Sequence, residues 1–435
     1  MIELKRNLGV WGATSIGIGA IIGAGIFVIS GVASGFAGPA VILSFIIAGI
    51  VSFLTALSSA ELSSFITEAG GSYIYTDKAF GKFWGFLVGW MLSFDYIMGA
   101  CVISVGFAGY FVYFVGIPIT AQNAIIIISI VMPLLLTLIN LRGMKEASGT
   151  NNLLVGLKVT ALVLFIAVGL FFLLSHGNFS NYNPFFPRGV AGMLSGAALI
   201  FFAFVGFNTI TVIAEEVKDP EKNVPKAIIM AFAISTVLYI GVSVVEVGLV
   251  NWKIIGTSSA PLELALKAAT GNIFILKFIS ISALFATASA TMAAILGGSR
   301  VLFSMARQRV IPDSLAAISK KGVPTLAVLV NGAVIALIIL VSQGNIELLA
   351  SIFNFGTLMT FFFINLSLLQ LRQKMPNANR TFKVPLYPVL PILGMISCFA
   401  LMLYLKPNAI IAAGVWIAIG VAAYEFNKRR EVNPN

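Results

Sequence analysis

The sequence predicts an all-α polytopic membrane protein with twelve transmembrane helices. Three observations predict it. Of 435 residues, 59% are hydrophobic and only 10% are charged, where soluble domains carry about 25% charged residues. Mean hydropathy is +1.01, more apolar surface than a water-soluble chain of this length could bury. The apolar residues also form continuous runs of about 20, the length that crosses a bilayer as a helix. Asn123–Leu138 is one such run; a membrane barrel would alternate apolar and polar residues instead.

Taken in order, the runs place spans at Trp11–Ser34, Ala40–Ile66 and Phe83–Val115. The fourth, Ala121–Ile139, is divided from the third by a short break in which Gly116 and Pro118 mark a turn. Leu153–Leu174 and Val190–Ile213 follow. The second half holds Ala227–Val250, Ile273–Ser304, Pro324–Val341, Ile346–Leu371, Val389–Leu405 and Pro407–Phe426. The third and eighth exceed the crossing length and are expected to tilt or protrude.

The formal charge of +11 sits in short connections between spans, with no basic stripe or interleaved aromatic module, so nucleic acid is excluded as a partner. With the N-terminus inside, 21 lysines and arginines fall on the cytoplasmic side, five outside, and Lys158 within a span. That bias predicts a multi-pass cell-membrane protein with both termini cytoplasmic. Cys101 and Cys398 lie in apolar runs, which argues against a disulfide framework. No cleavable leader is expected before the first span.

Two spans are unusual. Gly17, Gly19, Gly23 and Gly25 crowd the middle of the first. The sixth carries Gly206 among Phe201, Phe202, Phe204 and Phe207, followed by Asn208. Glycine weakens a helix and lets backbone approach a ligand; close helix packing is the other explanation of the first cluster. The separation of five spans matches two five-helix repeats, the second inverted, and paired interrupted segments point to a transporter's midplane site.

Gly19-Ala-Ile-Ile-Gly-Ala-Gly-Ile-Phe27 resembles the first-helix motif of the amino acid–polyamine–organocation transporters. Gly38-Pro39-Ala40, Ala60-Glu61-Leu62, Gly70-Gly71-Ser72-Tyr73, Glu215-Glu216, Pro225-Lys226-Ala227 and Gly322-Val-Pro324 resemble that family in order and at its spacing. The resemblance covers residues from about 9 to 330; the last third matches by span pattern. It implies the LeuT-like fold, with a first repeat over 1–175, a second over 176–372, and two further helices with a cytoplasmic tail over 373–435. It also implies a small-molecule amino acid substrate. By the family motif, the backbone N–H groups of Ala24, Gly25 and Ile26 would hold the carboxylate, as a half-helix N-terminus suits an anion. Carbonyls of Ile21, Phe202, Ala203 and Val205 would take the ammonium. Phe202 matches the family's aromatic gate, with plain packing as the alternative. Asn208 replaces the acid found in cation-transporting members, which favours neutral amino acids.

Charges within spans are functional hypotheses by default. In the implied fold, Lys158 reaches from the fifth helix to the first, against the Gly19 carbonyl and a hydroxyl of the eighth, Ser282. Its ammonium would replace the sodium ion of sodium-coupled relatives, and its proton would be the coupling ion; snorkelling to the interface is the alternative. Asp95 and Glu61 are the alternative proton carriers. A protonated hydrogen-bonder is the other reading of Asp95, and a structural or gating group that of Glu61. Glu246 is expected to be solvated at the outer end of its span, and His176 to lie on an outer loop. An enzyme should show a metal cluster, a nucleophile with its base or paired carboxylates, and a channel a filter or charged rings; none is legible. The expectation is a sodium-independent, proton-coupled symporter of neutral L-amino acids with no cofactor and no evident obligate protein partner. An exchanger that needs no ion is the alternative.

Overall fold

The computed structural model describes residues 8–66, 71–117, 122–141, 148–177, 179–212, 217–307, 311–319 and 323–432. Gly70, Glu215, Glu216 and Gly322 of the motif series lie outside these. Among the described residues the chain is helical, and its strand-like pairing is one isolated bridge between Leu8 and Val217. Among the described residues, nine stretches are long and apolar enough to cross a membrane, and Thr325–Val341 and Val389–Met402 are shorter apolar helices.

The first apolar stretch is not one rod. Helix α1 (Val10–Ile21) ends in mid-run, a π turn follows over Gly25–Ile29, and α2 covers Ser30–Ala37. Pro39 then enforces a 3-10 turn over Gly38–Ala40, and the chain returns as α3 (Val41–Ser63). A short α4 (Ser72–Phe80) precedes α5 (Lys82–Val115), α6 (Gln122–Asn140) and α7 (Ser148–His176). The next run is broken in the same way into α8 (Gly189–Ile200), a 3-10 turn over Phe201–Phe204, and α9 (Asn208–Val212). Helix α10 (Pro220–Leu249) follows, then α11 (Trp252–Ile255) and α12 (Pro261–Ala269). The last are α13 (Ile273–Arg307), α14 (Thr325–Val341), α15 (Ile346–Lys374), α16 (Val389–Met402) and α17 (Pro407–Val432). Asn345 caps α15, its side chain accepting from Leu348 N–H at 3.0 Å.

With 34 and 35 residues, α5 and α13 run roughly 50 Å at 1.5 Å per residue, well beyond a hydrocarbon core of about 30 Å. They pack against each other; α10 packs on α1 and α3, and α15 on α5 and α16. The peripheral helices α6, α7, α14, α16 and α17 turn Leu135, Leu138, Phe171, Leu337, Ile396 and Ile411 outward. An apolar outer surface over satisfied helical backbone suits lipid, and the broken segments lie inside that shell.

Candidate functional site at two broken helices

Ile22 leaves the helix with an extended backbone, φ −78° and ψ 95°. Ala24, Gly25 and Ile26 then begin the second half of the first broken helix, ahead of its first intrahelical hydrogen bonds. In the sixth run Val205 is extended and Gly206 has φ +134°. The two breaks lie backbone against backbone. A Cβ on Gly25 would overlap Ala203, and one on Gly206 would come within 2.7 Å of the Ala20 carbonyl. Only glycine allows both approaches.

The surrounding residues are sealed from solvent. Ile21, Ala24, Ile26 and Ala203 are at most 2% exposed, and Phe202 is 8% exposed. Phe202 stands edge-on to Phe353 of α15, with ring centroids 4.6 Å apart. Asn208 is the first residue of α9. On α10, Tyr239 donates its hydroxyl to Ile21 O at 2.7 Å and lies 3.1 Å from Ala203 O. It therefore bridges the carbonyls that the two breaks release. Tyr239 was not a sequence candidate, because a tyrosine in an apolar run reads as packing. Tyr110 of α5 similarly donates to Phe27 O at 2.6 Å.

At the end of α1, Lys158 Nζ donates to Gly19 O at 3.0 Å and the residue is 3% exposed. Gly19 is in the last turn of α1, where carbonyls lack intrahelical partners and the helix dipole favours a cation. Ser282 is buried, and its hydroxyl donates to Phe278 O of its own helix at 2.7 Å. Asp95 is buried where α5 meets α15, and its Oδ1 abuts Gly356 so closely that a Cβ there would overlap it.

Glu61 is fully buried near the C-terminal end of α3. It accepts from Arg372 Nε at 2.7 Å, Arg372 Nη2 at 2.6 Å and the Val384 N–H at 2.6 Å, and Arg380 Nε lies 3.3 Å away. This carboxylate clamps the 375–388 loop to α3. Glu246 corrects the sequence reading: it is 0% exposed, because α12 and the start of α2 pack against the end of α10. His176 is exposed and stacks on Phe172.

Close contacts flank the breaks on both sides. Beyond the first break, along α2, Gly31 lies against Pro261, and Gly35 against the Gly256 backbone. At the start of α1, Lys218 N–H donates to Leu8 O at 2.8 Å, tying it to the segment after α9.

Buried unwound backbone amid helices long and apolar enough to cross a membrane is an arrangement suited to a transport protein. The chain belongs to the amino acid permease family, whose model matches residues 8–423, within the amino acid–polyamine–organocation superfamily. It is 34% identical to the branched-chain amino acid permease BcaP of Bacillus subtilis, over 100% of this chain and 95% of that protein. A methylthioribose transporter of Bacillus subtilis is also 34% identical, over 98% of this chain and 94% of its own length. BcaP of Lactococcus lactis is 31% identical, over 96% and 93%.

Proposed function

We propose that this permease is a sodium-independent, proton-coupled symporter of neutral L-amino acids working by alternating access. The contact of Lys158 with Gly19 O carries the reading. A buried ammonium at the end of the inner half-helix can brace α1 as a bound cation would, and it can also lose its proton. The topology that goes with this is twelve spans with both termini cytoplasmic. Two inverted five-helix repeats over 1–175 and 176–372 precede the last two helices. Breaks in two runs five apart support it.

Related proteins do not choose the substrate by themselves, since two are named for branched-chain amino acids and one for methylthioribose. The site favours an amino acid. The N–H groups of Ala24, Gly25 and Ile26 suit a carboxylate, and the carbonyls of Ile21, Phe202, Ala203 and Val205 suit an ammonium. Asn208 in place of an acid favours a neutral side chain. The test is purified protein in liposomes with labelled leucine and separately imposed pH and sodium gradients. Acid outside should drive accumulation without sodium, and leucine methyl ester should fail to compete. Leucine counterflow at full rate with no response to a pH gradient would make the protein an exchanger instead.

A further inference from the structure

Glu246 stands three residues before the end of α10 and is fully buried. Its Oε1 lies 3.2 Å from Ser30 Oγ, and its Oε2 has no hydrogen-bond partner among the described residues. No lysine or arginine among the described residues pairs with it. Glu61 occupies the like position near the end of α3, but there two arginines and a backbone N–H neutralise it. A bare carboxylate at Glu246 would be a buried charge without compensation, which is strongly unfavourable.

Ser30 has one hydroxyl hydrogen and two acceptors in reach, the carbonyl of Ile26 at 2.8 Å and Glu246 Oε1 at 3.2 Å. With the hydrogen on the shorter contact, Ser30 Oγ faces Glu246 as an acceptor, to which only a protonated carboxyl can donate. Ser30 is the first residue of α2, and Ile26 lies in the turn beside the substrate site. The carboxyl thus touches the half-helix that must move for the outer side to open.

We infer that Glu246 is a proton-operated latch on the outer gate. A proton from the outer water binds one carboxylate oxygen, the resulting acid donates to Ser30, and the outer half of the first helix closes. When that half-helix leaves, water reaches the carboxyl and the proton returns to the same side. No proton crosses the membrane in this step, so the latch stands apart from the proposed role of Lys158.

Several ionisable groups sit on the elements packed against α10. They are Glu61 of α3, Lys158 and His176 of α7, Tyr182 of the 180–182 turn, Lys253 of α11, and Glu263 and Lys267 of α12. Tyr110 of α5 lies within electrostatic reach of both Glu246 and Glu263. Glu263 is the competing sensor, since burial pushes its carboxyl up to about 7 while Lys267 draws it back.

The test is substrate-free thiol labelling of Ala33→Cys, a buried position on α2; the native cysteines are both buried. A water-soluble maleimide is applied across outer pH, and each rate is divided by that of the same cysteine in E246Q, which cancels the reagent's own pH dependence. The ratio should rise about tenfold from acid to alkaline pH, as one pH unit of linkage allows. S30A should move the midpoint about one unit toward acid, because the acid loses its acceptor. E263Q should leave the ratio unchanged. A flat ratio, or one abolished by E263Q, overturns the latch. The labelling uses no substrate, so its outcome is separate from that of the transport assay.

Discussion

Lys158 binds the carbonyl of a helix end, and in the proposed mechanism its contribution depends on both its charge and the possibility of losing it. Lys158→Ala and Lys158→Arg should both fold and insert, yet lose pH-driven uptake. The alanine variant removes a charged hydrogen bond of about 1.5–3 kcal/mol, a loss of roughly tenfold or more in uptake. The arginine variant keeps its charge through the cycle, because guanidinium does not deprotonate in proteins. pH-driven uptake that survives Lys158→Ala would move attention to Asp95 or Glu61. Gly25→Ala tests the crossing of the two breaks: its methyl would have to displace Ala203. Uptake should vanish, and the melting temperature should fall with an overpacking penalty of about 1–3 kcal/mol.

At the scale of elements, the 375–388 loop is held by more than Glu61. Arg380 donates to Met375 O at 2.8 Å, and Thr381 donates to Glu221 O at the start of α10. The guanidinium of Arg372 also lies 3.9 Å from the centre of the Tyr387 ring. Glu61→Gln leaves two guanidinium groups against a neutral amide, and breaking such a buried pair costs about 3–5 kcal/mol. The expected readout is a lower melting temperature in detergent and faster proteolysis within 375–388. Helix α12 carries a pH-dependent contribution. Glu263 has a folded pKa of about 7 against an ordinary 4.5. The raised value means the protonated form stabilises the fold, fully below the ordinary value, and that contribution disappears as pH rises through the folded one. Melting temperature should therefore fall between about pH 4.5 and 7, and Glu263→Gln should flatten that part of the curve.

At the scale of the whole molecule, close glycine contacts along α2 and a backbone bridge at the start of α1 flank the breaks on either side. Lys218→Pro removes the N–H that reaches Leu8 O. A loss of about 1 kcal/mol should speed maleimide labelling of a cysteine placed at Ala13, buried on α1, by about fivefold. Helix existence was legible in the sequence because lipid demands long apolar runs, and the breaks because glycines cluster where backbones touch. Lys158 was legible because a charge in a span is costly to place. The burial of Glu246 was not, because it depends on α12, a short return helix with no apolar run of its own. Tyr239 was hidden for the opposite reason, being one more aromatic in an apolar stretch. Its hydroxyl carries one hydrogen and faces two carbonyls, whereas an ammonium brings three. In the proposed transport cycle the unloaded carrier is thus the donor-poor member, and its return across the bilayer should be the slow leg. Liposomes preloaded with unlabelled leucine should take up labelled leucine faster than empty ones, a trans-stimulation that Tyr239→Phe should enlarge.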